Sequence, residues 1–311
     1  LNAASRIAVI GAGHMGRYHA EKLARIPEVQ LAGVVDADAS RASALAQKLG
    51  CASFADYREI LGKADAAVVA VPTDRHHAVA LDCLRHGLHV LVEKPIATTL
   101  AEADSLIAEA EKRKLVLQCG HVERFNKAFR ALRSRMDRPV FIEAERLAGF
   151  KSRGAEVDVV LDLMIHDLDL AVALAPAPLE RVSACGFRVL TRDIDIANAR
   201  LEFANGCVAN LSASRVSQAV VRKLRVFQSD MYVSADLQAG RLRYVRESGG
   251  AIQETDETHE GGDALAVQAR DFVSAISRGD PVEVDGRQGR RVLELAIEVG
   301  RLVRERLSRF E

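Results

Sequence analysis

The chain has 311 residues, 49% of them hydrophobic, and its 43 Lys plus Arg balance 43 Asp plus Glu. That length exceeds one ordinary domain and suits two, each able to bury a core. A net charge of zero gives no global pull toward nucleic acid or a membrane surface, and no apolar run approaches the ~20 residues of a membrane span, so neither partner is expected.

Residues 6–10 form a short apolar run stopped by glycines, which reads as a buried parallel strand. A helix is expected over 14–26, a strand over 31–35, an Ala/Leu-rich helix over 39–49, a strand over 66–71 and a helix over about 74–86. A strand over 89–92, an amphipathic helix over 99–113 and a strand over 115–118 complete the series. Strand and helix alternating without interruption imply a parallel sheet with helices on both faces. Beyond it the period changes to two, with strands expected near 139–148, 180–190, 196–204, 207–214, 222–228 and 241–246. Asn205-Gly206 between two of them is a hairpin signal. A helix is expected over 157–174 and another over 288–308, with a loop over the Gly-, Glu- and Thr-rich stretch 247–263. The second half is therefore an antiparallel sheet with helices on one side. The boundary falls near 120–124, giving an α/β domain over 1–121 and an α+β domain over 122–311.

No signal peptide pattern precedes the first strand. The five cysteines (Cys51, Cys83, Cys119, Cys185, Cys207) are scattered, without the paired spacing of a metal site. They read as buried thiols of a cytoplasmic protein, and no metal is expected.

Gly11-Ala12-Gly13-His14-Met15-Gly16 fits G-x-G-x-x-G between a strand and a helix, the context that gives this motif meaning. Gly11 permits the tight turn, Gly13 lets the backbone approach a pyrophosphate, and Gly16 lets the helix pack on the strand. The helix start offers N–H groups and a partial positive charge. Asp36, ending the second strand, suits the adenine ribose hydroxyls and opposes a 2′-phosphate, which favours NAD over NADP. A plain strand-end turn residue is the alternative for Asp36, and nearby Arg41 leaves room for NADP.

Glu93-Lys94-Pro95 follows a strand at the carboxyl edge, where open α/β sheets bind ligands. An ammonium there can stabilise a developing alkoxide. A solvated lysine beside a turn proline is the other reading. Asp162, His166 and Asp169 stand at i, i+4 and i+7 of an otherwise apolar helix. Buried polar groups cost about 2–7 kcal/mol unpaired, so this stripe has to face partners or a wet cleft. A carboxylate-held histidine suits removal of a hydroxyl proton, while a cap or interdomain network is the competing reading. Asp158 and Asp167 are assigned to capping or solvent. Between the predicted domains, Arg124 and Asn126, with His121, fit phosphate or sugar hydroxyls, or else an interdomain salt bridge. Lys151 and Arg153 in a Gly-flanked loop suit a diphosphate, unless merely solvated.

The glycine motif, Glu93-Lys94-Pro95, Arg124-Phe125-Asn126, and Asp162 with His166, in that order over nearly the whole chain, resemble the Gfo/Idh/MocA oxidoreductase family. The resemblance implies a Rossmann domain followed by an open-faced, mostly antiparallel α+β domain, whose sheet often forms the oligomer interface. It further implies an NAD-dependent dehydrogenase acting on a sugar hydroxyl, in a homodimer or homotetramer. Lys94 becomes the catalytic lysine, His166 the acid/base and Asp162 its companion. The expected dinucleotide contacts are Gly11, Gly13, His14, Met15, Gly16, Asp36, Val71, Pro72, Thr73, His76, Glu93 and Lys94. The expected substrate contacts are His121, Arg124, Asn126, Lys151 and Arg153. Val159-Val160-Leu161 and Met164 depart from the glycines that members often carry there, which bears on specificity. The runs 120–126 and 163–167 resemble the branch that oxidises the 3-hydroxyl of UDP-N-acetylglucosamine or a related nucleotide sugar, a reaction that feeds 3-amino sugar biosynthesis. Competing readings are an inositol or free-sugar dehydrogenase of the same family and a non-catalytic NAD(H)-binding regulator. The intact Lys94, Asp162 and His166 set speaks against the regulator.

Overall fold

A computed structural model describes residues 4–150, 157–259 and 261–310. Lys151 and Arg153 lie outside the described residues. The chain forms two compact units, Leu1–Val122 with Asp263–Leu293, and Glu123–Gly262 with Glu294–Glu311. One break falls between Val122 and Glu123. The second break does not follow a single cut: the stretch after 262 returns to the first unit instead of continuing the second.

The first unit runs β1 (Ser5–Ile10), α1 (His14–Leu23), β2 (Val29–Val35), α2 (Ala39–Leu49), β3 (Ser53–Phe54), β4 (Ala66–Val69), α3 (His76–Arg85), β5 (His89–Glu93), α4 (Leu100–Arg113) and β6 (Leu117–Gly120). All its strands are parallel, in the order β3-β2-β1-β4-β5-β6. The apolar runs are strands because both faces are covered: Ile7, Val9, Val68 and Val90 are fully buried. Helix starts are fixed locally. The Asp38 carboxylate accepts the Ser40 and Arg41 N–H groups at α2, and Thr99 and Glu102 cap each other at α4. Strand order reverses between β1 and β4, so the loops after these two strands diverge at a topological switch point, where such sheets bind ligands.

The second unit runs α5 (Lys127–Arg133), β7 (Phe141–Leu147), α6 (Ile165–Leu174), β8 (Leu179–Phe187), β9 (Ile196–Phe203), β10 (Val208–Ser214), β11 (Val221–Gln228), β12 (Met231–Asp236), β13 (Arg241–Ser248) and β14 (Ala251–Thr258). The sheet order is β14-β13-β12-β11-β7-β10-β9-β8. Its pairs are antiparallel except β7 with β10. Alternation buries one face only, with Ile142, Ala144, Ala199, Leu201, Ala209, Leu211, Leu224 and Val226 inside. Each large side chain so buried contributes about 1.5–3 kcal/mol. Gly206, at φ 83°, turns the expected hairpin between β9 and β10.

α7 (Ala264–Arg278) and α8 (Gly286–Leu307) close the chain. Ala269, Phe272 and Val273 of α7 pack with Ala20 and Leu23 of α1 in the first unit's core. Two expectations change. The helix expected over 157–174 begins with a π turn, Val160–Met164, before α6. The stretch 247–263 is not a loop, since it contributes β14. Among the described residues no helix is long and apolar enough to cross a membrane. The five cysteines form no disulfide, and Cys83, Cys119 and Cys207 are buried.

Candidate active site

The first unit gathers the expected dinucleotide residues at the ends of β1, β2 and β4. Gly11 has φ 98°, and a Cβ there would stand 2.5 Å from the Ala70 carbonyl oxygen. At Gly16 a Cβ would stand 1.6 Å from the Gly11 carbonyl oxygen, so only glycine lets α1 start this close to the strand. A Cβ on Gly13 meets nothing within 4 Å. Gly13 is also the N-cap of α1 and brings no side chain to its first amides. An open approach over uncapped helix amides suits a pyrophosphate. His14 is exposed and Met15 half-buried beside it. Asp36 Oδ2 accepts the Ala12 N–H at 2.7 Å and Oδ1 accepts the Asp38 N–H at 2.9 Å, tying the acidic strand end to the glycine turn. Arg41 approaches the same carboxylate at 3.4 Å. The residues present fit NAD: the turn would hold its pyrophosphate and Asp36 its ribose.

Replacing Asp36 by Ala is expected to weaken NAD⁺ binding by about 1.5–3 kcal/mol, the worth of a hydrogen bond to a charged group, and to narrow its lead over NADP⁺. Calorimetric Kd values for both dinucleotides check this; an unchanged ratio rejects the ribose assignment.

β5 delivers Glu93 and Lys94 to the carboxyl edge of the same sheet. The Lys94–Pro95 peptide is cis, and Lys94 is half-buried. Glu93 is 7% exposed. Its Oε1 lies 2.7 Å from His19 Nε2 and its Oε2 accepts the Lys94 N–H at 3.2 Å. Burial alone pushes this carboxyl up; the His19 hydrogen bond and the charges of His19 and Lys94 outweigh it and hold it below its ordinary range. Gly120 makes the space, because a Cβ there would stand 2.9 Å from Glu93 Cα. Glu93 is thus tied to α1 and to the backbone of its own turn. Sequence reasoning missed His19, a polar residue on the buried side of an amphipathic helix, which is the signal that marks it.

In the second unit the polar helix divides by burial. Asp162, in the π turn, and His166, in the first turn of α6, remain half-exposed, whereas Asp167 and Asp169 are 4% and 0% exposed. A π turn in place of an α turn shifts the phase of the side chains ahead of α6. Asp167, expected in solvent, is instead bidentate to Arg146, with Nε at 3.0 Å and Nη2 at 2.8 Å. Arg146 Nη1 also donates to Glu123 at 2.9 Å. Burial works against the Arg146 charge, yet Asp167 and Glu123 outweigh it and raise its pKa. Asp169 accepts from Arg124 Nε at 2.8 Å. Asp158 caps the turn as expected, accepting the Val160 and Leu161 N–H groups. Two buried guanidinium groups therefore grip the residues that follow His166. Arg146 was legible after all: it occupies the buried phase of β7, after Ile142 and Ala144, where an apolar residue belongs.

The expected substrate contacts fare differently. Arg124 is 2% exposed and engaged by Asp169, and His121 is 1% exposed. Asn126 Oδ1 caps α5 at Ala128 and Phe129, and its Nδ2 donates to the Leu237 carbonyl. The residue reading offered them to sugar or phosphate; the structure buries Arg124 and His121, and the Asn126 amide nitrogen reaches the Leu237 carbonyl at 3.0 Å and the Glu123 carboxylate at 3.4 Å.

Residues 5–121 match the oxidoreductase family with an NAD-binding Rossmann fold, GFO_IDH_MocA, and residues 128–233 match the GFO/IDH/MocA C-terminal domain. The chain belongs to the Gfo/Idh/MocA family. It is an NAD-dependent oxidoreductase. A UDP-N-acetylglucosamine 3-dehydrogenase from Acidithiobacillus ferrooxidans is 42% identical over 301 residues, covering 94% of this chain and 96% of the relative. A solved structure of that dehydrogenase superposes with TM-score 0.92 over 96% of this chain and 97% of its own. A myo-inositol 2-dehydrogenase from Thermotoga maritima is 26% identical, with 97% of each chain covered. The fold is shared further with scyllo-inositol dehydrogenase from Lactobacillus casei, solved with NAD(H) and scyllo-inositol, at TM-score 0.84 and 16% identity.

Proposed function

We propose that the chain oxidises the 3-hydroxyl of UDP-N-acetylglucosamine, or of a closely related nucleotide sugar, to the 3-keto sugar. The observation that carries this reading is 42% identity sustained over 94% of the chain to an enzyme of that activity, against 26% for the inositol enzyme. Bound NAD⁺ supplies the hydride acceptor. His166 accepts the hydroxyl proton as the C–H electron pair leaves the same carbon, and the C–O bond becomes a carbonyl. The Lys94 ammonium donates to that oxygen and stabilises its growing negative charge. Asp162 acts as companion to His166. The open face of the second unit's sheet, which carries Glu143, Glu145 and Arg225, meets another copy in a homodimer or homotetramer. A cytoplasmic setting fits five cysteines without a disulfide.

A single-turnover absorbance trace tests the substrate. Protein with NAD⁺ is mixed separately with UDP-N-acetylglucosamine, UDP-glucose and myo-inositol, before and after a 2-oxo acid is used to reoxidise any retained NADH. Reduced nicotinamide with UDP-N-acetylglucosamine alone supports the reading; a signal only with myo-inositol replaces it. His166→Asn is expected to lower kcat at least about 10²-fold, the lower end for a lost general base, and to flatten the acidic limb of kcat/KM against pH. A retained limb assigns the proton to another group.

A further inference from the structure

His76 stands first in α3, is 1% exposed, and was expected to contact the dinucleotide. Both of its ring nitrogens are engaged elsewhere. Nδ1 lies 2.8 Å from the Pro95 carbonyl oxygen and Nε2 lies 2.9 Å from the Val71 carbonyl oxygen. The first belongs to the turn that carries Lys94. The second belongs to the loop after β4, where Val71, Pro72 and Thr73 are expected against the cofactor. No ring nitrogen is left for a ligand.

We infer that His76 is a positioning residue, a two-ended staple that fixes the Lys94 turn to the loop after β4 and needs both ring nitrogens protonated to hold both ends. The inference rests on the reading of Lys94 as the group that polarises the reacting hydroxyl. A carbonyl oxygen only accepts, so each nitrogen must donate. The neutral ring has one N–H; its other nitrogen turns a lone pair toward a carbonyl lone pair. Loss of the proton therefore releases one loop from the other. Burial lowers the ring's pKa, and the two carbonyls with the charges of Glu93, at the end of β5, and Asp74, in the turn before α3, act in the opposite direction. The net direction is down, so the two-ended state is present on the acidic side of the ordinary histidine range and is lost as pH rises through the lowered value. At neutral pH the neutral ring then holds one end, and acidification engages the second, the Lys94 turn moving with it.

Two measurements on the full chain test this. Imidazole ¹⁵N spectra across pH, with His76 assigned by its absence in His76→Gln, are expected to show protons on both nitrogens at the acidic end and on one nitrogen above the midpoint. A nitrogen that stays bare at every pH where the protein is folded overturns the staple, and does so whichever sugar is the substrate. In kinetics, His76→Leu is expected to lower kcat at least about tenfold, the scale of a sub-ångström misplacement of a catalytic group, with NAD⁺ Kd and substrate KM nearly unchanged. His76→Gln, which keeps one donor, recovers part of the loss. An unchanged kcat in His76→Leu, normalised to NAD⁺-binding sites, removes His76 from the positioning of Lys94. Wild-type protein inactive on every sugar, with the two-proton spectrum present, rejects the substrate assignment and leaves the staple standing.

Discussion

Lys94→Ala is expected to lower kcat about 10³-fold, the upper end for loss of one donor to a developing oxyanion, while the Kd for NAD⁺ changes little. The separation follows from where the two functions lie. On the proposed reading the pyrophosphate falls to Gly11, Gly13 and the α1 amides and the ribose to Asp36, none of which depends on the Lys94 side chain. The backbone of the Lys94 turn is held independently, by the Lys94 N–H on Glu93 and by the Pro95 carbonyl on His76. Truncation at Cβ therefore removes the ammonium and leaves the turn. Stopped-flow hydride transfer and equilibrium titration of NAD⁺ on the same preparation read the two effects apart. A parallel loss of cofactor affinity would move Lys94 from the chemistry to the cofactor. Lys94→Arg is no rescue, since a planar fork replaces a point charge on a shorter reach.

Arg146→Ala is expected to destabilise the second unit by about 3–5 kcal/mol, the cost of stripping one partner from a buried ion network. Glu123 and Asp167 are left buried, close together and both acidic. Asp167 follows His166 directly, so the same change loosens the helix start that aims the imidazole, and turnover falls beyond what the folded fraction accounts for. Hydrogen exchange of α6 and β7 amides reads the local stability, which suits a chain of two units better than one global transition. A cost below about 1 kcal/mol would reduce the network to an ordinary surface pair. Arg146→Met combined with Asp167→Asn should recover much of the stability, because the uncompensated Asp167 charge goes with its partner while Glu123 keeps Arg222 at 3.6 Å.

The glycine motif, Asp36 and the strands around them are legible because each is a local pattern: apolar runs between turn residues, with a fixed spacing at the helix start. The alternation in β7, β9, β10 and β11 is equally local, and one buried face enforces it. β14 was hidden because both its faces are exposed, so Ala251–Thr258 carries no alternation to read. Asp167 was misread for the opposite reason. Its neighbours give no sign of the guanidinium that faces it, which comes from a strand twenty-one positions earlier. His76 was assigned to the cofactor from its place in the loop, since sequence reports proximity to a motif and not which main-chain oxygens surround a ring. The return of α7 to the first unit was hidden likewise: its periodicity says that it has an apolar side, not that α1 is what covers it.

That last packing sets an order of events during synthesis. Leu23 and Ala20 of α1 are made early, whereas their cover, Ala269, Phe272 and Val273, emerges only after the whole second sheet has been translated. At about 5–20 residues per second the wait is on the order of ten seconds. During it the part of the nascent half's core that α7 covers, beside Ala20 and Leu23, has no cover from its own chain. Such a half is a client for a holdase, and in a polysome it is open to capping by the α7 of a neighbouring chain. Slowing elongation between residues 122 and 263 is then expected to lengthen the exposure of that part of the core, and co-expression of a full-length α7 segment to shorten it.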